Sequence, residues 1–135
     1  FFRIWEIIRK QASHYMNGEE EMASDPRMQL FKTMMHFLSQ SYKGNVTLAE
    51  VAASASISKS LCNALFNQYV GESPINYLMH LRCRKVAEYL RSSPMTLTEI
   101  AQMTGFNGVS YMSETFRKFF GSSPRAYRKQ WEGQN

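Results

Sequence analysis

Cysteine and long apolar runs are the features this sequence most clearly lacks. Only two of its 135 residues are cysteines, Cys62 and Cys83, which disfavours a disulfide framework and favours a reducing compartment. No apolar run approaches the roughly 20 residues that a membrane span requires, and no signal peptide is recognisable. We therefore expect a cytoplasmic protein without a membrane segment. The chain also lacks an initiator methionine, which predicts that it is a fragment.

Patterns that support catalysis or metal binding are also missing. The three histidines, His14, His36 and His80, have no second ligand at metal-binding spacing. The sequence contains neither a phosphate-cradling glycine loop nor residues in a Ser-His-Asp order. We therefore expect no metal, no cofactor and no enzymatic activity.

The charge is distributed unevenly along the chain. Residues 1–26 carry three basic and five acidic side chains, a net charge of −2. Residues 27–135 carry thirteen basic and six acidic side chains, a net charge of +7. The longer segment is therefore expected to bind a polyanion.

Two segments of the chain occur twice. TLAEVAASASI, from Thr47, matches TLTEIAQMTGF, from Thr96, and FNQYVGESPINYL, from Phe66, matches FRKFFGSSPRAYR, from Phe116. The copies are offset by 49 residues in the first pair and by 50 in the second. Such a duplication indicates two equivalent working surfaces at a fixed separation, and few ligands other than a nucleic-acid duplex present the same surface repeatedly.

Each copy has the pattern of a helix-turn-helix. Thr47 and Thr96 are each followed three residues later by glutamate, the capping-box spacing that begins a helix. Gly105 can adopt the positive φ that a tight inter-helix turn favours, whereas the first copy has Ser56 there and is expected either to be strained or to turn differently. Gly71 and Gly121 are predicted to end the second helix of each copy. Pro74 and Pro124 are predicted to be the first residues of the helices that follow.

Helical periodicity without strand-like alternation predicts an all-α protein. Residues 1–16 are predicted to form an amphipathic helix, and residues 17–26, which are polar and acidic, a flexible linker. A helix is predicted from about Met28 to Tyr42, a connecting helix over about 73–91, and a closing helix over 123–131.

These segments resemble the DNA-binding domain of the AraC/XylS family of bacterial transcription regulators. The resemblance covers residues 28 to about 130 and rests on the capping box, the Gly-Phe turn and the Ser-Tyr, Phe, Gly, Pro and Tyr-Arg residues at family spacing. It implies two homeodomain-like three-helix subdomains in residues 27–135. Their helix-turn-helix motifs, at about 47–70 and 96–120, are joined by the long connecting helix.

The resemblance also implies how such a protein works and what it works with. One recognition helix from each copy would enter successive major grooves of double-stranded DNA, about one helical turn or roughly 34 Å apart. Residues 1–16 would be the tail of a missing sensor domain, usually N-terminal, that binds a small-molecule effector and forms a homodimer. RNA polymerase is a further candidate partner.

The same resemblance assigns residues that contact bases. The positions are Ser60, Asn63 and Ala64 in the first copy and Ser110, Ser113 and Glu114 in the second. The family commonly has arginine where Ala64 and Glu114 stand, and arginine is the best bidentate ligand for guanine. Asn63 could pair with adenine, and Glu114 could accept from the N4 amine of cytosine. Alternatively, Glu114 is a plain exposed glutamate, or holds Arg117 or Lys118 in place.

Other polar residues are expected to bind phosphate or to support the fold. Those beside the recognition helices are Lys59, Asn67, Arg117 and Lys118, and Lys43 and Arg84 could reach flanking backbone. Arg82 lies within the apolar stripe of the connecting helix, so we expect it to be buried, paired with a carboxylate and structural.

Two other functions remain open from the residues. Ada-type DNA-repair methyltransferases attach a similar helix pair to a reactive cysteine, for which Cys83, between two arginines, is the only conceivable candidate because Cys62 occupies a core position. The second is a protein-interaction module that has lost DNA binding. The absence of arginine at positions 64 and 114 favours it, and the net charge of +7 in residues 27–135 opposes it.

Overall fold

The computed structural model describes residues 25–132, which form seven α-helices and no strand. The helices are α1 (Pro26–Ser41), α2 (Leu48–Ser54), α3 (Lys59–Val70), α4 (Pro74–Ser92), α5 (Leu97–Thr104), α6 (Val109–Phe120) and α7 (Pro124–Glu132). The all-α prediction is confirmed. The helix predicted at 1–16 lies outside the described residues, as does most of the linker predicted at 17–26. Pro26, assigned to that linker, is instead the first residue of α1.

The described chain forms two compact units. The N-terminal unit comprises residues 25–41 and 46–78, and the C-terminal unit comprises residues 42–45 and 79–132. Each contains one helix-turn-helix, α2–α3 in the first and α5–α6 in the second. The short segment 42–45 follows α1 in the chain but belongs to the C-terminal unit.

Aromatic side chains hold α3 in the N-terminal unit. One face of α1 is buried through Met28, Phe31, Met34 and Leu38, spaced three or four residues apart as a helix requires. The ring of Phe31 lies edge-on to Phe66 at 5.2 Å between centroids and 5.0 Å from Tyr69. Burying each such ring contributes on the order of 2 kcal/mol, so α1 fixes the inner face of α3.

A second aromatic core supports α6 in the C-terminal unit. Phe116 stacks on Phe120 at 4.5 Å between centroids and meets the edge of Tyr127 at 5.4 Å. Ile100 and Ala101 of α5 are buried in the same cluster. Ala101 is small enough to let α5 and α6 cross closely.

The predicted helix starts are confirmed at the atomic level. The hydroxyl of Thr47 accepts a hydrogen bond from the Glu50 amide at 3.2 Å, and that of Thr96 accepts from the Glu99 amide at 3.1 Å. Each hydroxyl also donates to its glutamate carboxylate, at 3.3 and 3.1 Å. The proline-led helices begin in the same manner, since the hydroxyls of Ser73 and Ser123, just before Pro74 and Pro124, accept amide hydrogen bonds at 3.1 Å.

Three glycines and one serine have positive φ within residues 25–132. Gly71 and Gly121 end α3 and α6 in the left-handed conformation, as predicted. Gly105 has φ of 87°, and Ser56, at the matching turn of the first copy, has φ of 56°. The strain predicted for the serine is therefore present, and costs on the order of 1–2 kcal/mol.

Arg82 is buried as predicted, but its predicted carboxylate partner is wrong. Its Nε donates to the carbonyl of Tyr42 at 2.8 Å, and its Nη2 donates to the carbonyl of Gly44 at 2.7 Å. Burial lowers the pKa of the guanidinium from its usual value. The cation is stabilised here by backbone dipoles, and the segment before Thr47 is fixed in return.

Arg128 binds backbone carbonyls ahead of the second helix-turn-helix, as Arg82 does ahead of the first. Arg128 donates to the carbonyls of Met95 at 2.6 Å, Ser93 at 3.1 Å and Leu90 at 3.3 Å. Gly44 and Ser93 each lie three residues before the capping threonine of their own copy. In the repeat alignment Arg128 falls opposite Leu78, so comparison of the copies could not pair it with Arg82.

Replacing Gly105 by alanine should destabilise the protein far more than replacing Gly121. A Cβ at Gly105 would collide with the Tyr42 carbonyl and come within 2.9 Å of Arg82 Nε, whereas at Gly121 nothing lies within 4 Å. Both glycines have positive φ, so Gly121→Ala isolates the conformational cost of about 1 kcal/mol. We expect about 3 kcal/mol or more for Gly105→Ala by urea unfolding. Equal losses of stability in the two variants would show that the Tyr42 carbonyl and the Arg82 side chain accommodate the added methyl group.

Candidate nucleic-acid interface

The first candidate surface is the exposed face of α3. Ser58 caps this helix by accepting from the Leu61 amide at 3.1 Å, while Cys62, Leu65 and Phe66 bury its inner face. The sequence-predicted residues of this copy all lie on the other side: Lys59, Ser60, Ala64 and Asn67 are exposed, and Asn63 is partly exposed. They form one continuous face of hydrogen-bonding side chains around the small Ala64.

The second candidate surface is the exposed face of α6. Ser110, Glu114, Arg117 and Lys118 are exposed at helical spacing, and Ser113 is partly buried beside them. Within residues 25–132 Glu114 forms no ion pair with Arg117 or Lys118, so the hypothesis that it holds them in place is not supported.

Sequence reasoning missed Tyr111 on this second surface. Its side chain is 47% exposed, and its ring meets the edge of Phe106 at 5.6 Å between centroids. Its hydroxyl lies 3.6 Å from the sulfur of Met79. The Ser-Tyr pair is among the residues that carry the family resemblance, but the exposure of Tyr111 depends on the tertiary packing of Phe106, which the local pattern does not encode.

The two units differ strongly in charge. The described residues of the N-terminal unit include three basic side chains (Arg27, Lys32, Lys59) and three acidic ones (Asp25, Glu50, Glu72), a net charge of zero. Those of the C-terminal unit include ten basic and four acidic side chains, a net charge of +6. The net positive charge of the described residues therefore belongs to the C-terminal unit, where segment 42–45, the part of α4 from residue 79 onward and the second copy share it.

Several cations of the C-terminal unit have partners inside it. Arg82 and Arg128 bind backbone carbonyls. Arg91 donates to the Tyr127 hydroxyl at 2.7 Å and lies 5.4 Å from the ring centroid of Trp131. Arg84 and Lys85 lie 3.9 and 3.7 Å from the carboxylate of Glu88, in partly exposed pairs. Arg117 and Lys118 remain on the exposed face of α6, where an anion can reach them.

Comparison with known proteins agrees with this geometry. A family model described as a helix-turn-helix domain matches residues 51–130, from α2 into α7. A putative AraC-like transcription regulator of Streptomyces lividans is 31% identical over 120 residues, covering 89% of this chain and 38% of that protein. The chain belongs to the AraC family of helix-turn-helix transcription regulators.

A second curated relative also covers most of this chain. The uncharacterised HTH-type transcriptional regulator YdeC of Bacillus subtilis is 28% identical over 126 residues, covering 93% of this chain and 42% of that protein. The chain thus spans about two fifths of the length of these two curated relatives.

Solved structures share the fold. The DNA-binding domain of AdpA, in complex with a target DNA, has a TM-score of 0.72 and 25% identity, covering 83% of this chain and 97% of that one. The C-terminal domain of AraT, a response regulator from Geobacillus stearothermophilus, has a TM-score of 0.72 and 28% identity, covering 75% and 84%. This AraC-family chain therefore corresponds to the DNA-binding domain of such regulators.

The two thiols of this AraC-family domain lie in unfavourable surroundings for a nucleophile. Both cysteines are fully buried. Burial raises the pKa of Cys62 and raises that of Cys83 to about 12. A nucleophilic cysteine needs the opposite setting, exposed and with a lowered pKa.

No group of three or more His, Cys, Asp or Glu side chains in residues 25–132 could hold a metal ion. None of the helices over the same range is long and apolar enough to span a bilayer.

Both cysteines should resist a thiolate-specific reagent in the folded protein. At pH 8 a thiol whose pKa is about 12 is ionised in only about one molecule in 10,000, and burial blocks access as well. We expect slow labelling by an aromatic disulfide reagent in buffer and rapid labelling of two thiols in denaturant. Fast modification of Cys83 in the native state would restore the methyltransferase hypothesis.

Proposed function

We propose that this domain reads DNA by placing α3 and α6 in successive major grooves on one face of the duplex. The observation that carries the proposal is the pair of helix-turn-helix units, each of which buries one face of its second helix and exposes hydrogen-bonding side chains on the other. The likeness to the AdpA domain in complex with a target DNA supports it. The recognition helices should then lie about one DNA turn apart.

The proposed division between the copies follows their side chains. On α3, Ser60 and Asn63 would contact base edges around Ala64, with Asn63 pairing to adenine through its amide. On α6, Ser110 and Ser113 would do so, and Glu114 would accept from cytosine N4. Phosphate binding would fall to Lys59 and Asn67 in the first copy and to Arg117 and Lys118 in the second.

We further propose that the remainder of the protein supplies regulation. A sensor domain, usually N-terminal in this family, would bind a small-molecule effector and form a homodimer, and RNA polymerase would be contacted at the promoter. The domain itself would have no enzymatic activity, which the buried thiols support. A DNA-bound regulator of this kind would work in the bacterial cytoplasm.

Glu114→Arg should tighten DNA binding and shift the preferred base at one position towards guanine. The change removes a like charge beside the phosphates and adds a bidentate donor, worth about 1–3 kcal/mol of discrimination. Selection of bound sites from a random DNA pool, followed by titration at fixed salt, measures both effects. Glu132→Arg makes the same charge change on α7, so it should alter affinity weakly and base preference not at all.

Two outcomes would contradict the proposal for α6. Unchanged affinity and preference in Glu114→Arg would mean that α6 does not enter the groove. An equal effect of Glu132→Arg would assign the gain to net charge. DNA binding by phosphate neutralisation must weaken log-linearly with salt. If the parent protein does not bind DNA in this way, the domain is a protein-interaction module instead.

Asn63→Ala should relax base preference at a different position, about one DNA turn from the position that Glu114→Arg changes. The amide is the best adenine reader on α3, and its loss leaves the helix caps and core untouched. Site selection with the variant gives the measurement. A change at the same position as in Glu114→Arg would show that the two helices do not occupy separate grooves.

Removing residues 1–24 should leave DNA affinity per domain nearly unchanged. All seven described helices begin at or after Pro26, so both recognition surfaces remain complete. Titration of full and shortened chains on a single site tests this. A large loss would place the removed segment in the binding unit.

A further inference from the structure

Arg27 lies on the first turn of α1, yet its side chain reaches the recognition helix of the first copy. Its Nη2 and Nε donate to the side-chain oxygen of Gln68 at 2.9 and 3.2 Å, across 41 residues of sequence. Both side chains are exposed. A cation that belongs to α1 in sequence is therefore part of the surface of α3 in space.

This position is fixed by a second contact between the same elements. The Asp25 carboxylate accepts from the Arg27 amide at 3.0 Å and from the Tyr69 hydroxyl at 3.4 Å. The start of α1 is thus tied to two consecutive residues of α3, which orients the guanidinium. The guanidinium has five N–H donors, and the contacts with Gln68 leave those on Nη1 for an anion.

Gln68 lies at one edge of the exposed face of α3. No charged residue of α3 itself lies at that edge. Lys59, the only charged residue of α3, is nine residues earlier. That spacing corresponds to half a turn around the helix and about 13.5 Å along it. Lys59 and the Arg27–Gln68 pair therefore mark opposite edges and opposite ends of the α3 surface. Ala64, one turn before Gln68, is too short to contribute.

A major groove about 12 Å wide is bordered by phosphates on both sides. A helix in that groove places its two edges towards different strands, so Lys59 and the Arg27–Gln68 pair, on opposite edges of α3, would face different strands. In a unit with no net charge, Arg27 is one of only three basic residues described.

We propose that Arg27 is a phosphate contact of the first helix-turn-helix, held at the edge of α3 by Gln68. The inference rests on the proposed DNA binding and adds a residue outside both recognition helices. Lys59 would bind the phosphates on one side of the groove and Arg27 those on the other. The contact is to the backbone, so it adds affinity without selecting a base.

The dependence of DNA affinity on salt tests this directly. The log of the association constant falls with log salt by about 0.9 for each phosphate contact on duplex DNA, so Arg27→Gln should reduce the slope by about that amount. Affinity should fall by a similar factor for selected and random sequences. Arg27→Lys keeps the charge and should retain most of the slope.

Matched variants separate this role from others. Lys32→Gln removes the same charge from the same helix and should leave the slope unchanged. An equal reduction of the slope in both glutamine variants would assign the effect to net charge and overturn the proposal. Arg117→Gln, on α6, should reduce the slope and so shows that the assay responds. If Arg27→Gln kept the parental salt slope but lowered the midpoint of thermal unfolding, the contact between Arg27 and Gln68 would have only a structural role.

Neutral methylphosphonates placed singly in the DNA give a second measurement that does not depend on the variant's stability. Substitution at the phosphate bound by Arg27 should weaken the parent and should not further weaken Arg27→Gln. If every position weakens both proteins equally, Arg27 contacts no phosphate. A parent that binds no DNA would instead reject the proposed function.

Discussion

The organisation of this domain depends on a guanidinium group that binds the backbone carbonyls ahead of each helix-turn-helix. The Arg82 side chain, only 7% exposed, takes the carbonyls of Tyr42 and Gly44, and Arg128 takes those of Leu90, Ser93 and Met95. A buried cation is costly to leave unpaired, and the carbonyls bound by Arg82 remove that penalty, whereas Arg128 is only partly buried. The capping threonines of α2 and α5 each follow these carbonyls within a few residues of the sequence.

Much of the local structure could be predicted because its causes are local. A capping threonine, a glycine with positive φ and a proline at a helix start each involve residues no more than four apart, and all were found as expected. The partners of Arg82, Arg128 and Arg27 lie 33 to 41 residues away. Two of the three bind carbonyls, which every residue possesses, so no pattern of side chains could indicate them. The expectation of a carboxylate for Arg82 failed for this reason.

Because the charges of the two units are unequal, we expect the units to contribute differently to DNA binding. The first copy offers mainly amides and hydroxyls, which distinguish base edges by geometry. The C-terminal unit, which contains the second copy, has the net positive charge, and such charge attracts any duplex and makes binding depend steeply on salt. The candidate residues on both surfaces stay predictions, but their placement on exposed helix faces agrees with such a division.

Trp131 gives the C-terminal unit a tryptophan fluorescence signal. The chain has two tryptophans, and removal of residues 1–24 would leave only this one. Its ring is 39% exposed, lies 6.2 Å from Tyr127 between centroids and is covered by Arg91 at 5.4 Å. Its fluorescence therefore reports on the C-terminal unit, while circular dichroism reports on all seven described helices. Coincident midpoints for the two signals would indicate one cooperative transition, and separate midpoints would give each copy a stability of its own.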